Sequence, residues 1–293
     1  MAEKLRLHFT KPGLQTTIQD LGRTGYQGTG IPVNGAMDKA STKAANRLAG
    51  NDEDAPVLEI TLLGPGIRIE GNGQMAITGA DLSPKINNEP ADMYETLDVE
   101  DGDVISFGRP VTGCRAYLAV RGSWQVDPWL GSFSASAIKA LELTPQSIIQ
   151  KEQVLEVEYD ELISPFTIPV EERPDLSQLN IISVLPGPEF SLISNLAIGD
   201  FFSQDFKISN DSNRMGYKLE GRLTHFESAL EVISSGIIPG TIQITNAGQP
   251  IILMADAQTS GGYTRLANVI TEDLDKLAQM KPGDVVRFRL VSL

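Results

Sequence analysis

The sequence predicts a mainly β protein built of two related domains, with few and short helices. Three observations predict it. One succession of short motifs occurs twice in the same order. Most apolar runs are short, rich in Val and Ile, and bounded by Gly, Pro, Asn or Asp, as strands of a β-rich protein are. Helical spacing with start and stop signals is found in two segments, 38–49 and 272–280.

The first copy of the motifs is Pro12-Gly13, Arg23-x-Gly25-Tyr26, Leu58-Glu59 with Gly64, Ala80-Asp81, and Gly102-Asp103-Val104-x-x-Phe107. The second is Pro186-Gly187, Arg214-x-Gly216-Tyr217, Leu230-Glu231 with Gly236, Ala255-Asp256, and Gly283-Asp284-Val285-x-x-Phe288. Gaps of several residues come and go between them, as gaps in loops do. The period is far too long for a solenoid, whose units run to roughly 20–50 residues. It therefore predicts a pseudo-symmetric pair, residues 1–170 with a connecting arm and 171–293.

In chain order, strands are expected at 75–78, 104–107, 115–120, 154–159, 180–185, 241–245, 251–254 and 285–291. A helix is expected over Asp38–Ala49, with Asp38 as N-cap and Gly50 as stop, and another over Glu272–Met280, begun by Thr271 and ended before Pro282. The first lies where the second copy is shorter, so it belongs to one half only. Ser164–Ser177, with its prolines and charged core, has linker composition. The segment from Gly113 to about Tyr159 lacks a counterpart after the second copy and is the candidate arm.

The 293 residues carry 24 basic and 38 acidic side chains, a net charge of −14. That balance argues against nucleic acid or anionic lipid as the principal partner, because both require a basic face. The sequence shows neither a secretory leader pattern nor 18 uncharged apolar residues in a row, so a cytoplasmic protein is expected. Cys114 is the only cysteine and His8 and His225 the only histidines, which makes a Cys/His metal site improbable. Cys114 has core surroundings rather than those of a nucleophile.

Three groups of residues carry candidate chemistry. The segment Asp256–Tyr263, DAQTSGGY, follows a strand and offers Gln258, Thr259 and the pair Gly261-Gly262 as an anion or substrate cradle, with Tyr263 beside it. The alternative is a tight loop requiring positive φ. Residues 19–27 and 30–38 are dense in Gly, with Arg23, Asn34 and Asp38 converging on a polar ligand. The alternative for Arg23 and Arg214 is a buried brace to Glu59 and Glu231, built once per domain. Asp81 just past a strand, with Asp256 at the matching place, is placed to act as a general base or to orient a substrate amine; the alternative is a turn cap. Residues present in one copy only, Asn34, Asp38, Thr259 and Tyr263, are favoured as site residues, because residues kept by both copies are explained by the shared fold. A GxxxxGK[ST] phosphate loop is absent from the sequence.

The motifs GLQTTIQDLGRTGYQ at 13–27, GIPVNGAMD at 30–38, NRLAGNDEDAPVLEITLLGP at 46–65, ITGADL at 77–82, RAYLAVRG at 115–122, SNRMGYKLEG at 212–221, SSGIIPGTIQI at 234–244 and ADAQTSGGY at 255–263 resemble the allophanate hydrolase subunit 2 family, also called the biotin-dependent carboxyltransferase family. The resemblance covers nearly the whole chain and implies two cyclophilin-like β-barrel domains. It further implies a subunit of an ATP-dependent 5-oxoprolinase, opening the lactam of 5-oxo-L-proline to L-glutamate with a smaller subunit of related cyclophilin-like fold and a LamB/YcsF-type subunit. ATP is the implied co-substrate of that assembly. The alternatives are a biotin-dependent carboxyltransferase of urea carboxylase type, which would use a partner's biotin because Lys281 lacks the surroundings of an attachment lysine, and a non-catalytic regulator that binds a kinase inhibitor. The resemblance breaks at 130–136. There, Phe133 and Ala135 stand where relatives usually carry Arg and Thr.

Overall fold

The computed structural model describes residues 2–136, 142–176, 180–227 and 232–292. The chain divides into two compact units, one of 1–23 with 34–177 and one of 24–33 with 178–293. Among the described residues there is no helix long and apolar enough to cross a membrane.

The first unit contains β1 (Glu3–Lys11), β2 (Gln15–Gln19), α1 (Lys39–Leu48), β3 (Val57–Thr61), β4 (Gly66–Glu70), β5 (Gly73–Asp81), β6 (Pro84–Ile86), β7 (Glu89–Pro90), β8 (Thr96–Val99), β9 (Val104–Phe107), β10 (Thr112–Val120), β11 (Ser123–Trp124) and β12 (Val154–Tyr159). Two antiparallel sheets result, ordered β11-β12-β1-β4-β9-β6-β7 and β2-β3-β10-β5-β8. Residues 113–159 thus supply strands to both sheets.

Burial pattern follows layer position. In β1, Leu5, Leu7 and Phe9 point inward while Lys4, Arg6 and His8 point out, the period of two of a sheet wet on one face. The outer row is paired across strands: Arg6 with Glu156 (2.8 Å) and Glu70 (2.6 Å), and Lys4 with Glu156 (2.6 Å). The five-stranded sheet is covered on both faces, so β3 is buried at every position. Its inner face gives Ile18, Leu58, Ile60, Ile77 and Leu118 to the core shared with β1. Its outer face receives α1 through Ala44, Ala45 and Leu48.

The helix forms where the sequence places it. Asp38 caps it, accepting from Ser41 N–H (2.8 Å) and Ser41 Oγ (2.6 Å), and Gly50 follows in the left-handed region. Its approach is held by the sheet: Met37 N–H donates to Glu59 Oε2 (2.7 Å), Asp38 N–H donates to the Tyr117 hydroxyl (2.8 Å), and that hydroxyl donates to Glu59 (2.9 Å).

The second unit contains β13 (Ile181–Pro186), α2 (Asn195–Ser203), β14 (Phe206–Ile208), β15 (Gly216–Glu220), β16 (Ser235–Gly236), β17 (Thr241–Ile244), β18 (Pro250–Leu253), β19 (Ser260–Gly261), β20 (Thr264–Val269), α3 (Thr271–Ala278) and β21 (Val285–Leu290). Seven of these strands close a barrel in the order β13-β20-β17-β18-β15-β14-β21, sealed by the parallel pair β13 and β21. Closure removes the free edges an open sheet exposes. The two-stranded ladder of β16 and β19 stands apart from it.

All eight expected strands are present, and α3 matches the expected second helix to within two residues. The helix α2 is a third, unexpected one. Its N-cap is Ser194, accepting from Ala197 N–H (3.2 Å), and its Phe201 is fully buried, stacked on Phe288 with centroids 4.5 Å apart.

Of the repeated motifs, the Gly-Asp turns match bond for bond. Gly102 and Gly283 both adopt positive φ, +93° and +94°. Asp103 Oδ2 accepts from Glu100 N–H (2.8 Å) and Asp284 Oδ2 from Lys281 N–H (2.9 Å). Gly102 N–H donates to Ile69 O (3.0 Å) and Gly283 N–H to Ile208 O (2.8 Å). A turn that requires positive φ selects Gly, and the Asp satisfies the backbone N–H the turn exposes.

Because α2 packs through one stacked aromatic, Phe201→Ala is expected to destabilise the protein by about 3–5 kcal/mol. Denaturant unfolding followed by circular dichroism measures this, and a loss below about 1 kcal/mol contradicts the assigned packing.

Candidate functional site

Arg23, Asn34 and Asp38 are all buried, at 1%, 2% and 2% exposure. Arg23 sends Nε to Trp129 O (2.9 Å), Nη1 to Asn34 Oδ1 (3.1 Å) and Nη2 to Ser134 O (2.9 Å), and its guanidinium lies 4.4 Å over the Trp129 ring. Glu59 forms an ion pair with Arg115 (3.7 Å), and Arg23, which the sequence sets against Glu59 as a brace, clamps the loop 129–134. In the second unit, Arg214 donates twice to Asp256, at 2.9 Å each. The expected partner Glu231 lies outside the described residues. Asp38 is occupied as a helix cap, and Asn34, at φ +57°, serves the Arg23 clamp.

The hub of that loop is Asp20, a residue that the sequence motifs did not single out. Its Oδ1 accepts from Gly22 N–H (2.8 Å), Ser132 Oγ (2.8 Å) and Ser134 Oγ (2.5 Å), and its Oδ2 from Phe133 N–H (2.7 Å). The signal was present in the Ser132-x-Ser134 spacing, which aims two hydroxyls at one carboxylate. Phe133, at the position where the family resemblance breaks, packs its ring against the core of the first unit.

A cavity of about 880 Å³ opens in the first unit at the end of β5. Asp81, Lys85, Asp92, Tyr94, Arg173 and Asp175 line it. Asp81 is the one expected site residue the cavity contains. Its Oδ1 accepts from Ser83 N–H (2.8 Å), so it caps a turn while facing the cavity. Tyr94 holds an unfavourable φ of +63°. Its hydroxyl accepts from Gly79 N–H (3.0 Å), and Arg173 lies 5.1 Å above its ring. Burial, opposed by the hydrogen bond to Gly79, pushes the Tyr94 hydroxyl up to about 12, so it is a neutral donor and acceptor at physiological pH. Val170 and residues 173–176, within the stretch of linker composition, line the cavity, and the segment is tied to its wall: Ile168 N–H bonds Tyr94 O (2.9 Å), and Arg173 Nε bonds Ile168 O (2.9 Å).

The loop Gln258–Tyr263 lies in the second unit, where β19 pairs with β16 in the register Ser235 with Gly261. Gln258 and Gly262 are exposed, Thr259 half-buried, and Tyr263 43% exposed. Thr259 O accepts from Ile237 N–H (3.1 Å). Neither Gly261 nor Gly262 takes a positive φ, so the tight-turn alternative is not what selects them. Gly261 supplies room instead: a Cβ there would lie 2.8 Å from Gln243 Nε2 and 3.0 Å from Ile237 Cδ1. The loop was visible in the sequence and Gln243 beneath it was not, because an amide on β17 carries no signal until the fold covers it. In the first unit, the face of β2 and β3 beside Glu59 also buries Gln19 Oε1 and Thr61 Oγ1 without a partner.

A two-sheet unit with a cavity at the end of β5 and a closed seven-stranded barrel define a mainly β protein of two units. A sequence profile of the family described as carboxyltransferase domain, subdomain A and B, matches residues 29–290, and the chain belongs to that family. The C-subunit of the 5-oxoprolinase of Escherichia coli (strain K12) is 35% identical over 290 residues, covering 98% of this chain and 92% of that protein. The urea amidolyase of Lachancea kluyveri is 33% identical over 310 residues, 97% of this chain and 17% of that protein. The crystal structure of the K. lactis urea amidolyase matches with a TM-score of 0.88 at 30% identity, covering 98% of this chain and 19% of that one. The chain thus spans nearly all of the first relative and about a fifth of the solved amidolyase. The resemblance read from the motifs is borne out.

The Tyr94 hydroxyl has a folded value of about 12 against an ordinary 10, so the folded state holds its proton more tightly. The resulting stability is full below pH 10 and falls by about 2–3 kcal/mol as pH rises to 12. Unfolding across that range is expected to show a shallower alkaline loss in Tyr94→Phe than in wild type. Identical slopes contradict the assignment.

Proposed function

We propose that the chain is a subunit of an ATP-dependent 5-oxoprolinase, opening the lactam of 5-oxo-L-proline to L-glutamate together with partner subunits. The observation that carries this reading is the coverage: the chain corresponds to 92% of a stand-alone 5-oxoprolinase component but to 17% of a urea amidolyase. The partners assigned are a smaller subunit of related cyclophilin-like fold and a LamB/YcsF-type subunit, in the cytoplasm. A match of such length to a separate subunit favours a protein that works by association.

The chemistry required is activation of an unreactive amide. Transfer of the ATP γ-phosphoryl group to the lactam carbonyl oxygen, with release of ADP, makes the ring carbon electrophilic. Water adds there, the ring C–N bond breaks as the nitrogen takes a proton, and a second water displaces phosphate from the resulting acyl phosphate to leave L-glutamate. The cavity in the first unit sets Lys85 and Arg173 against Asp81, Asp92 and Asp175, an acidic majority unsuited to a triphosphate. We therefore assign the nucleotide to the partners and the lactam to this chain. Asp81 is the carboxylate we propose to orient or deprotonate at the cavity. Thr259, Gly261, Gly262 and Tyr263, with Gln258, are the proposed binders in the second unit. Asp38 and Asn34 act through the helix and the Arg23 clamp.

A second reading, biotin-dependent carboxyl transfer, is favoured by the family description and by the solved amidolyase. Lys281 lacks the sequence surroundings of an attachment lysine and its Nζ pairs with Asp284 (3.1 Å), which favours a biotin carried by a partner. Urea and the lactam are both planar amides, which is why one scaffold suits both.

The test is 5-oxo-L-proline-dependent ATP hydrolysis by the chain alone and with the proteins that co-purify with it. No turnover alone and turnover in the assembly are expected, with Tyr263→Phe lowering it by about tenfold and leaving the unfolding midpoint unchanged. A biotinylated partner with carboxyl transfer, or a stable complex without turnover, overturns the reading.

A further inference from the structure

The cavity of the first unit contains a guanidinium that is held in place with its terminal nitrogens unused. Arg173 is half-buried, lines the cavity and is fixed at three points: its N–H donates to Val170 O (3.2 Å), its Nε donates to Ile168 O (2.9 Å), and its guanidinium lies 5.1 Å from the centre of the Tyr94 ring. The residues that fix it are tied to the sheet in turn. Ile168 N–H donates to Tyr94 O (2.9 Å), Tyr94 N–H to Ile77 O (2.9 Å), and Gly79 N–H to the Tyr94 hydroxyl (3.0 Å). Among the described residues, no hydrogen bond or ion pair engages Arg173 Nη1 or Nη2. Lys85, the other cation of the cavity, is exposed and is a hydrated point charge on a flexible stem.

An arginine whose Nε already bonds a carbonyl presents its two Nη groups end-on, the geometry that takes one carboxylate through two parallel N–H···O bonds. Fixing the fork beforehand reduces the ordering that binding must impose. We propose that Arg173 binds the carboxylate of the substrate, and so selects a lactam that carries an acid group, 5-oxo-L-proline, over a neutral amide such as urea. This deepens the proposed function and rests on it for the identity of the lactam. A carboxyl group of that kind titrates at about 3.5, so the ligand is a monoanion at neutral pH. Asp81, Asp92 and Asp175 line the same cavity and repel ligands of higher negative charge, which leaves a single carboxylate as the anion this lining admits. Urea offers the fork nothing to hold.

The experiment measures equilibrium binding of 5-oxo-L-proline and of 2-pyrrolidinone, the same lactam without the carboxylate, to the assembly by ligand-observed NMR. Wild type is expected to prefer the acid by about tenfold to hundredfold, and Arg173→Met to weaken the acid by that factor while leaving 2-pyrrolidinone within about twofold. Arg173→Lys, which keeps the charge and loses the fork, is expected to fall between them. A merely structural arginine would weaken both ligands alike. The wild-type comparison requires no variant, so it tests the proposal even where Arg173→Met perturbs folding. No binding of 5-oxo-L-proline, equal wild-type affinity for the two lactams, wild-type affinity for the acid in Arg173→Met, or the same loss for both ligands overturns the proposal. Steady-state ATP hydrolysis by the assembly separates it from the reaction it rests on, with a raised KM for 5-oxo-L-proline and an unchanged kcat expected in Arg173→Met. Turnover with equal KM in wild type and variant sinks the carboxylate contact alone; a preference for the acid that Arg173→Met removes, without turnover, sinks the assigned reaction alone.

Discussion

A guanidinium taken out of water must be given partners, and Arg23 at 1% exposure imposes that demand on the first unit. Its fork gathers the carbonyls of Trp129 and Ser134, and Asp20 gathers the hydroxyls and N–H of the same loop from the other side. The loop 129–134 is thereby fixed against β2. From that fixed edge the five-stranded sheet runs to β5, whose end carries Asp81 and the cavity. The chain of constraint goes from one buried charge to the rim of a ligand-sized space.

The same rule of satisfied burial explains what the other buried candidates do. Asp38, Asn34, Arg214 and Asp256 are consumed by caps and clamps within their own units. Tyr117 and Glu59 are consumed by the entry to α1, and burial raises the Tyr117 hydroxyl well above its ordinary value, keeping it a neutral bridge.

Much of the fold was legible because its signals are local. Alternation in β12, the Asp38 cap and Gly50 stop of α1, and the Gly-Asp turns each lie within a few residues of sequence. The helix α2 escaped because NLAIGDFFS lacks a polar stripe and holds Gly199, so only its Ser194 cap marked it. The repeated arginines looked equivalent in sequence, yet Arg23 holds carbonyls while Arg214 holds Asp256, because partners come from the sheet and not from the motif. Of the candidate site, the loop 258–263 and Asp81 were singled out from Gly density and strand-end position. Tyr94, Arg173, Asp20 and Gln243 were not, since each acquires its contacts from residues distant in the chain.

Substrate is assigned to this chain, and hydrogen–deuterium exchange of the assembly with and without 5-oxo-L-proline tests that assignment directly. Slower exchange of backbone amides in residues 258–264 or 79–94 is the predicted result. No change in either region, with protection confined to the partner subunits, would contradict it.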